Sequence, residues 1–72
     1  MQKFCFNYAI EGVRTFLPVF ICAEGNTQDE AFDLANRYLE SGKFGGFQIW
    51  NTNYPDQINS EFSTKHIPKD FK

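Results

Sequence analysis

The chain is 72 residues long, 42% hydrophobic, 18% aromatic and 22% charged, with 7 Lys+Arg against 9 Asp+Glu for a formal net charge of -2. It holds no run of about 18 apolar residues, no internal repeat and no strongly charged tract, which excludes a membrane-spanning helix, a solenoid and a polyionic tail. A domain this small buries only about 60% of the surface its unfolded chain exposes, so its core must be dense in large side chains, and nine Phe, three Tyr and one Trp supply them.

From Lys3 to Ile10 the residues alternate, with Phe4, Phe6, Tyr8 and Ile10 on one side and Lys3, Cys5, Asn7 and Ala9 on the other. A period of two rich in aromatics predicts a strand. Glu11-Gly12 interrupts it, and a second β-rich run, Thr15 to Ala23, follows closely enough for a hairpin. Directly opposed residues of an antiparallel pair share a face. One register makes a continuous apolar face by setting Ile10 against Leu17, Tyr8 against Val19 and Phe6 against Ile21; it also brings Cys5 opposite Cys22. Pro18 cannot donate a ladder hydrogen bond, which predicts that the second strand lies at the sheet edge.

Thr27-Gln28-Asp29-Glu30 fits a capping box and predicts a helix start. Ala31, Phe32, Leu34, Ala35, Tyr38 and Leu39 then follow a helical period, and Gly42 offers a left-handed C-terminal cap. Asp29 and Glu30 near the start, with Arg37 and Lys43 near the end, suit the helix dipole. Past Gly45-Gly46, which permit a tight bend, Phe47 to Asn51 predicts a third strand with Phe47 and Ile49 inward and Gln48 and Trp50 outward. Tyr54-Pro55-Asp56 predicts a turn, and a short fourth strand is expected near Glu61 to His66. A strand-helix-strand crossover leaves its two strands parallel; if strand one lies between strands two and three, the order is 2-1-3 and strand two is the edge, as Pro18 suggests. The expected fold is a small α+β domain spanning residues 1–72, a ββαβ core over 1–51 with a weakly patterned segment over 52–72. One helix packs on one face of its antiparallel or mixed sheet.

Met1-Gln2-Lys3 runs into the interrupted Phe4-Cys5-Phe6-Asn7-Tyr8 rather than the roughly 7 to 15 apolar residues of a secretory signal. A cytoplasmic protein is therefore expected. Two cysteines are too few for a secreted disulfide framework, so Cys5 and Cys22 are expected as reduced thiols, with a cross-strand disulfide the alternative. A sequence pI near 5.2 leaves no broad positive field for duplex DNA.

Catalysis needs a nucleophile or an acid/base pair with a group to orient it. The lone His66 between Lys65 and Ile67 reads as a solvated surface residue, and no Cys-x-x-Cys, helical histidine pair or phosphate-binding glycine loop occurs. No enzyme, metal or cofactor is expected. The sheet face away from the helix, carrying Cys5, Asn7, Ala9, Phe16, Phe20, Cys22, Gln48 and Trp50, is too apolar for plain solvent exposure. Either the C-terminal segment covers it with Tyr54, Ile58, Phe62 or Phe71, or a partner does.

The general plan, a chain under 80 residues with two strands, a capped helix and another strand, resembles many small phage or mobile-element proteins, including some that inhibit bacterial defence complexes. The likeness is one of size and arrangement, so it carries no functional residue. The first functional expectation is a non-enzymatic module, an inhibitor or adaptor that covers a surface of a larger cytoplasmic protein complex, alone or as a homodimer. Phe16, Phe20 and Trp50 are its apolar anchors, and Asp29 and Asp33, on one side of the helix, are its electrostatic guides. The alternative is a single-stranded nucleic-acid binder that stacks bases on Trp50 and Phe20 and meets phosphates with Lys65, His66, Lys69 and Lys72.

Overall fold

The computed structural model describes residues 1–12, 19–42, 46–56 and 64–71. In chain order the elements are β1 (Gln2–Ile10), β2 (Phe20–Gly25), α1 (Gln28–Ser41), β3 (Phe47–Ile49) and β4 (Thr64–His66). They form a small α+β fold, a four-stranded mixed sheet in the order β3-β1-β2-β4 with the helix on one face.

β1 alternates because each second residue must leave water, and its pairing with β2 has the register that the apolar pattern predicts, Cys5 against Cys22 and Phe6 against Ile21. The turn that ends β1 includes Gly12, whose φ of 84° suits a residue without a Cβ. β3 pairs antiparallel with the other side of β1, Tyr8 against Ile49 and Ile10 against Phe47. β2 and β3, the strands flanking the helix, therefore run parallel with β1 between them, as the crossover rule requires.

The outer side of β2 departs from expectation. β4 pairs with it in parallel, Phe20 against Thr64 and Cys22 against His66, so β2 is an interior strand there rather than the edge. Pro18, which argued for an edge, lies outside the described residues, as do Phe16, Leu17, Lys43, Gly45, Ile58, Phe62 and Lys72.

The capping box forms in a shifted version. Thr27 Oγ1 accepts from the Glu30 amide at 3.2 Å, while Glu30 Oε2 accepts from the amide of Asn26, one residue earlier than usual, at 2.8 Å. At the other end Gly42 is right-handed, with φ -74° and ψ -9°. Its N–H donates to both the Tyr38 and Leu39 carbonyls at 3.2 Å, so the last turn closes without the left-handed cap that the glycine allowed. The last turn holds no basic residue. Arg37 pairs instead with Asp33, one turn back, at 3.1 Å.

Ala31, Ala35 and Leu39 form the buried stripe of α1, and with Phe6, Tyr8, Ile21 and Ala23 they make the core. Phe6 meets Phe32 edge to face at a centroid distance of 5.5 Å. The small alanines let the helix sit close to the strands, and the approach is tightest at its start, where a Cβ built on Gly25 would lie 2.8 Å from the Ala31 backbone nitrogen. Gly25→Ala is therefore expected to cost about 1–3 kcal/mol through overpacking. Urea unfolding of the two proteins measures this, and a loss below about 0.5 kcal/mol would mean that the helix start can move away from β2 freely.

Candidate binding surface at Trp50 and Tyr54

The far face of the sheet is built around Cys5 and Cys22, which are joined by a disulfide with Cα atoms 4.0 Å apart. Two reduced thiols were the expectation; the register that the apolar residues impose puts the two side chains directly opposite, close enough to bond. Tyr8 N–H donates to the Val19 carbonyl at 3.0 Å, so Tyr8 turns its backbone groups toward β2. Alternation then turns those of Cys5 away from β2, making Cys5 and Cys22 a closely spaced pair with no ladder bonds between them.

Those outward groups hold other segments. Trp50 N–H donates to the Asn7 carbonyl at 3.1 Å, extending β3 by one residue along β1. The chain then bulges, and it returns to β1 at Cys5, whose N–H donates to Asn53 Oδ1 at 3.0 Å and whose carbonyl accepts from Tyr54 N–H at 2.7 Å. On the other flank, Ile67 N–H donates to the Cys22 carbonyl at 3.3 Å. The bulge is also fastened to the helix start. Gln28 Nε2 donates to the Asn51 side-chain and backbone oxygens at 2.7 and 3.2 Å, and Asn51 Nδ2 donates to Asp29 Oδ1 at 3.1 Å.

The result is a pair of aromatics on a braced segment, Trp50 at 43% and Tyr54 at 40% exposure. Tyr54 packs edge-on against Phe20 at a centroid distance of 5.3 Å. Phe20 is only 5% exposed, which corrects its place among the surface anchors: it is a buried support under Tyr54. Thus Tyr54 covers part of the far face, as one of the two sequence readings had it. Phe71 goes elsewhere and meets Tyr38 of the helix at 4.9 Å. Asp29 is exposed and linked to the Trp50 segment through Asn51, whereas Asp33 is exposed but already paired with Arg37. Phe16, the remaining expected anchor, is outside the described residues.

Sequence reading missed Tyr54 as a surface group and missed the role of Asn51 and Asn53. The signal was the Asn51-Thr52-Asn53 run between the two aromatics, since short polar side chains of this type bond to nearby backbone. Among the described residues no group of three or more His, Cys, Asp or Glu could hold a metal ion, and no helix is long and apolar enough to cross a membrane. Comparison with protein families, with curated proteins and with solved structures finds no match.

On the opposite face, burial raises the pKa of the Tyr8 phenol above its usual value of 10.0. A proton held more tightly in the folded state gives stability that is full below about pH 10 and is lost as the pH climbs through the raised native value. Between pH 9 and 11 the wild type should therefore lose more stability than Tyr8→Phe, as read from urea midpoints. Equal losses would show that the phenol is not desolvated.

Proposed function

We propose that the chain is a non-enzymatic protein-binding module, an inhibitor or adaptor of the kind found among small phage and mobile-element proteins, which covers a surface of a larger protein complex. The observation that carries this reading is the exposed Trp50/Tyr54 pair on a segment braced to both β1 and α1. Aromatic anchors dominate binding energy at protein interfaces, and anchors already ordered before contact spend less of it on immobilisation. Asp29, fastened beside them through Asn51, adds a negative charge for a partner with a basic rim.

The same rings could stack single-stranded bases, but the strand order supports the protein reading. Lys65 and His66 lie on β4 and Lys69 just after it, whereas Trp50 extends β3, at the opposite edge of the sheet. Three inter-strand spacings of about 4.8 Å separate Trp50 from the cations that would meet phosphates, while Tyr54, packed on Phe20 of β2, lies nearer to them. A cytoplasmic target, the location expected from the sequence, exposes Cys5–Cys22 to a reducing thiol pool.

Affinity capture from lysate of the source cells, with and without nuclease, tests the proposal. A protein complex retained after nuclease treatment, and lost at least tenfold with Trp50→Ala or Tyr54→Ala, is the expected result. Trp50→Ala should stay within about 1 kcal/mol of wild-type stability and Tyr54→Ala, which uncovers Phe20, within about 2 kcal/mol, both short of the roughly 3 kcal/mol of a core aromatic truncation. Loss of every partner on nuclease treatment would replace this reading with the nucleic-acid one.

A further inference from the structure

We propose that the Cys5–Cys22 disulfide is a thiol-exchange site, entered at Cys22 by a small anionic thiol, whose opening releases the Trp50/Tyr54 surface from the sheet. The release depends on the geometry of β1 alone, while its effect on a partner rests on the function proposed above.

Both cysteines are buried, Cys5 at 0% and Cys22 at 2% exposure, but their surroundings differ. An open groove of about 630 Å³ reaches Cys22 and not Cys5. It lies on the side where β4 flanks β2, with His66 at the register position opposite Cys22. Among the described residues, Lys3 and Lys69 line it against a single carboxylate, Glu24, over apolar walls that include Leu34 and Ile67. Two lysines against one glutamate favour an incoming anion, and the thiolate is the attacking form of a thiol.

The exchange balances as two thiol steps. A thiolate RS⁻ bonds to Cys22 Sγ, the Sγ–Sγ bond breaks, and Cys5 leaves as a thiolate that takes up a proton. A second RS⁻ then attacks the R sulfur of the mixed disulfide and releases Cys22 as a thiolate, which is protonated in turn. Two RSH are oxidised to RSSR, and the protein disulfide accepts two electrons and two protons.

The consequence follows from the pair's place in the ladder. No backbone bonds tie β1 to β2 at Cys5 and Cys22, so the covalent bond is their direct link there. Two unbonded sulfurs need about 1.5 Å more separation than bonded ones. At Cys5, fully buried and out of reach of the groove, that space comes from parting the strands, while the hydrogen-bonded pairs on either side, Phe4 with Ala23 and Phe6 with Ile21, hold the register. The displacement falls on the outward groups of Cys5, which are the ones that hold Asn53 and Tyr54.

The test follows amide hydrogen exchange by NMR in the full-length oxidised protein, in the protein reduced with glutathione, and in Cys5→Ala/Cys22→Ala. On reduction, exchange at the Tyr54 amide should quicken at least tenfold while the Phe6 amide changes less than threefold; in the double variant, which has no sulfurs to part, both should stay within about threefold of the oxidised protein. Glutathione, an anionic thiol, should reduce the protein several-fold faster than neutral 2-mercaptoethanol after correction for thiolate fraction, and Lys3→Gln/Lys69→Gln should remove that preference. Unchanged Tyr54 exchange or global unfolding on reduction, or no difference between the two thiols, would each overturn the proposal. Partner capture separates the two readings: equal capture by oxidised and reduced protein sinks the switch and leaves the binding function standing, whereas no capture by either sinks the binding function.

Discussion

The register of β1 against β2 is the constraint on which the rest of the structure depends. Slipping it by one residue would send either Phe6 and Tyr8 of β1 or Ile21 and Ala23 of β2 to the far face, so that the two strands would no longer present one shared apolar face to the helix stripe of Ala31, Ala35 and Leu39. The same register fixes Cys5 opposite Cys22, and through the alternation of the ladder it decides which backbone groups of β1 point away from β2. Core, disulfide and surface segment are three outcomes of one pairing.

A chain of 72 residues has little core to spare, and small domains often recover stability through a covalent staple. Here the staple spans a sequence separation of 17 and joins the two central strands. In the chain-entropy account such a loop contributes about 3 kcal/mol by restricting the unfolded state. Its position gives it a second effect. Cys5 offers its N–H and carbonyl to Asn53 and Tyr54, so the staple fixes the strand edge on which the exposed aromatics are carried. This arrangement builds a firm, partly apolar ledge with an acidic side chain beside it.

What could be read from the sequence was what depends on local period and on capping chemistry. The alternation of Phe4, Phe6, Tyr8 and Ile10 defined β1 and its register, Thr27 and Glu30 marked the helix start, and Phe47 with Ile49 marked β3. Parts of the site were legible too, since Trp50 was expected outward and is exposed. The misreadings share a cause, which is contact with residues distant in the chain. Phe20 was read as an anchor because its strand pattern puts it on the far face, but Tyr54, 34 positions later (54 − 20), lies over it. The second strand was read as an edge from Pro18, while β4 arrives from the weakly patterned segment to pair with it. The cysteines were judged by expected compartment, although their opposition in the register was already plain. Gly42 permitted a left-handed cap, but permission is not a requirement, and carbonyls of the last turn took its N–H instead.

The pairing at the centre of the sheet can be observed most directly by NMR in the oxidised protein. In an antiparallel sheet the Hα atoms of a non-hydrogen-bonded pair face each other closely, whereas those of a hydrogen-bonded pair do not. The account predicts strong cross-strand Hα–Hα contacts for Cys5 with Cys22 and for Asn7 with Phe20, and none of that strength for Phe6 with Ile21. Strong contacts at Phe6 and Ile21, or a Cys5 partner other than Cys22, would contradict the register and with it the placement of the disulfide, the helix face and the Trp50/Tyr54 surface.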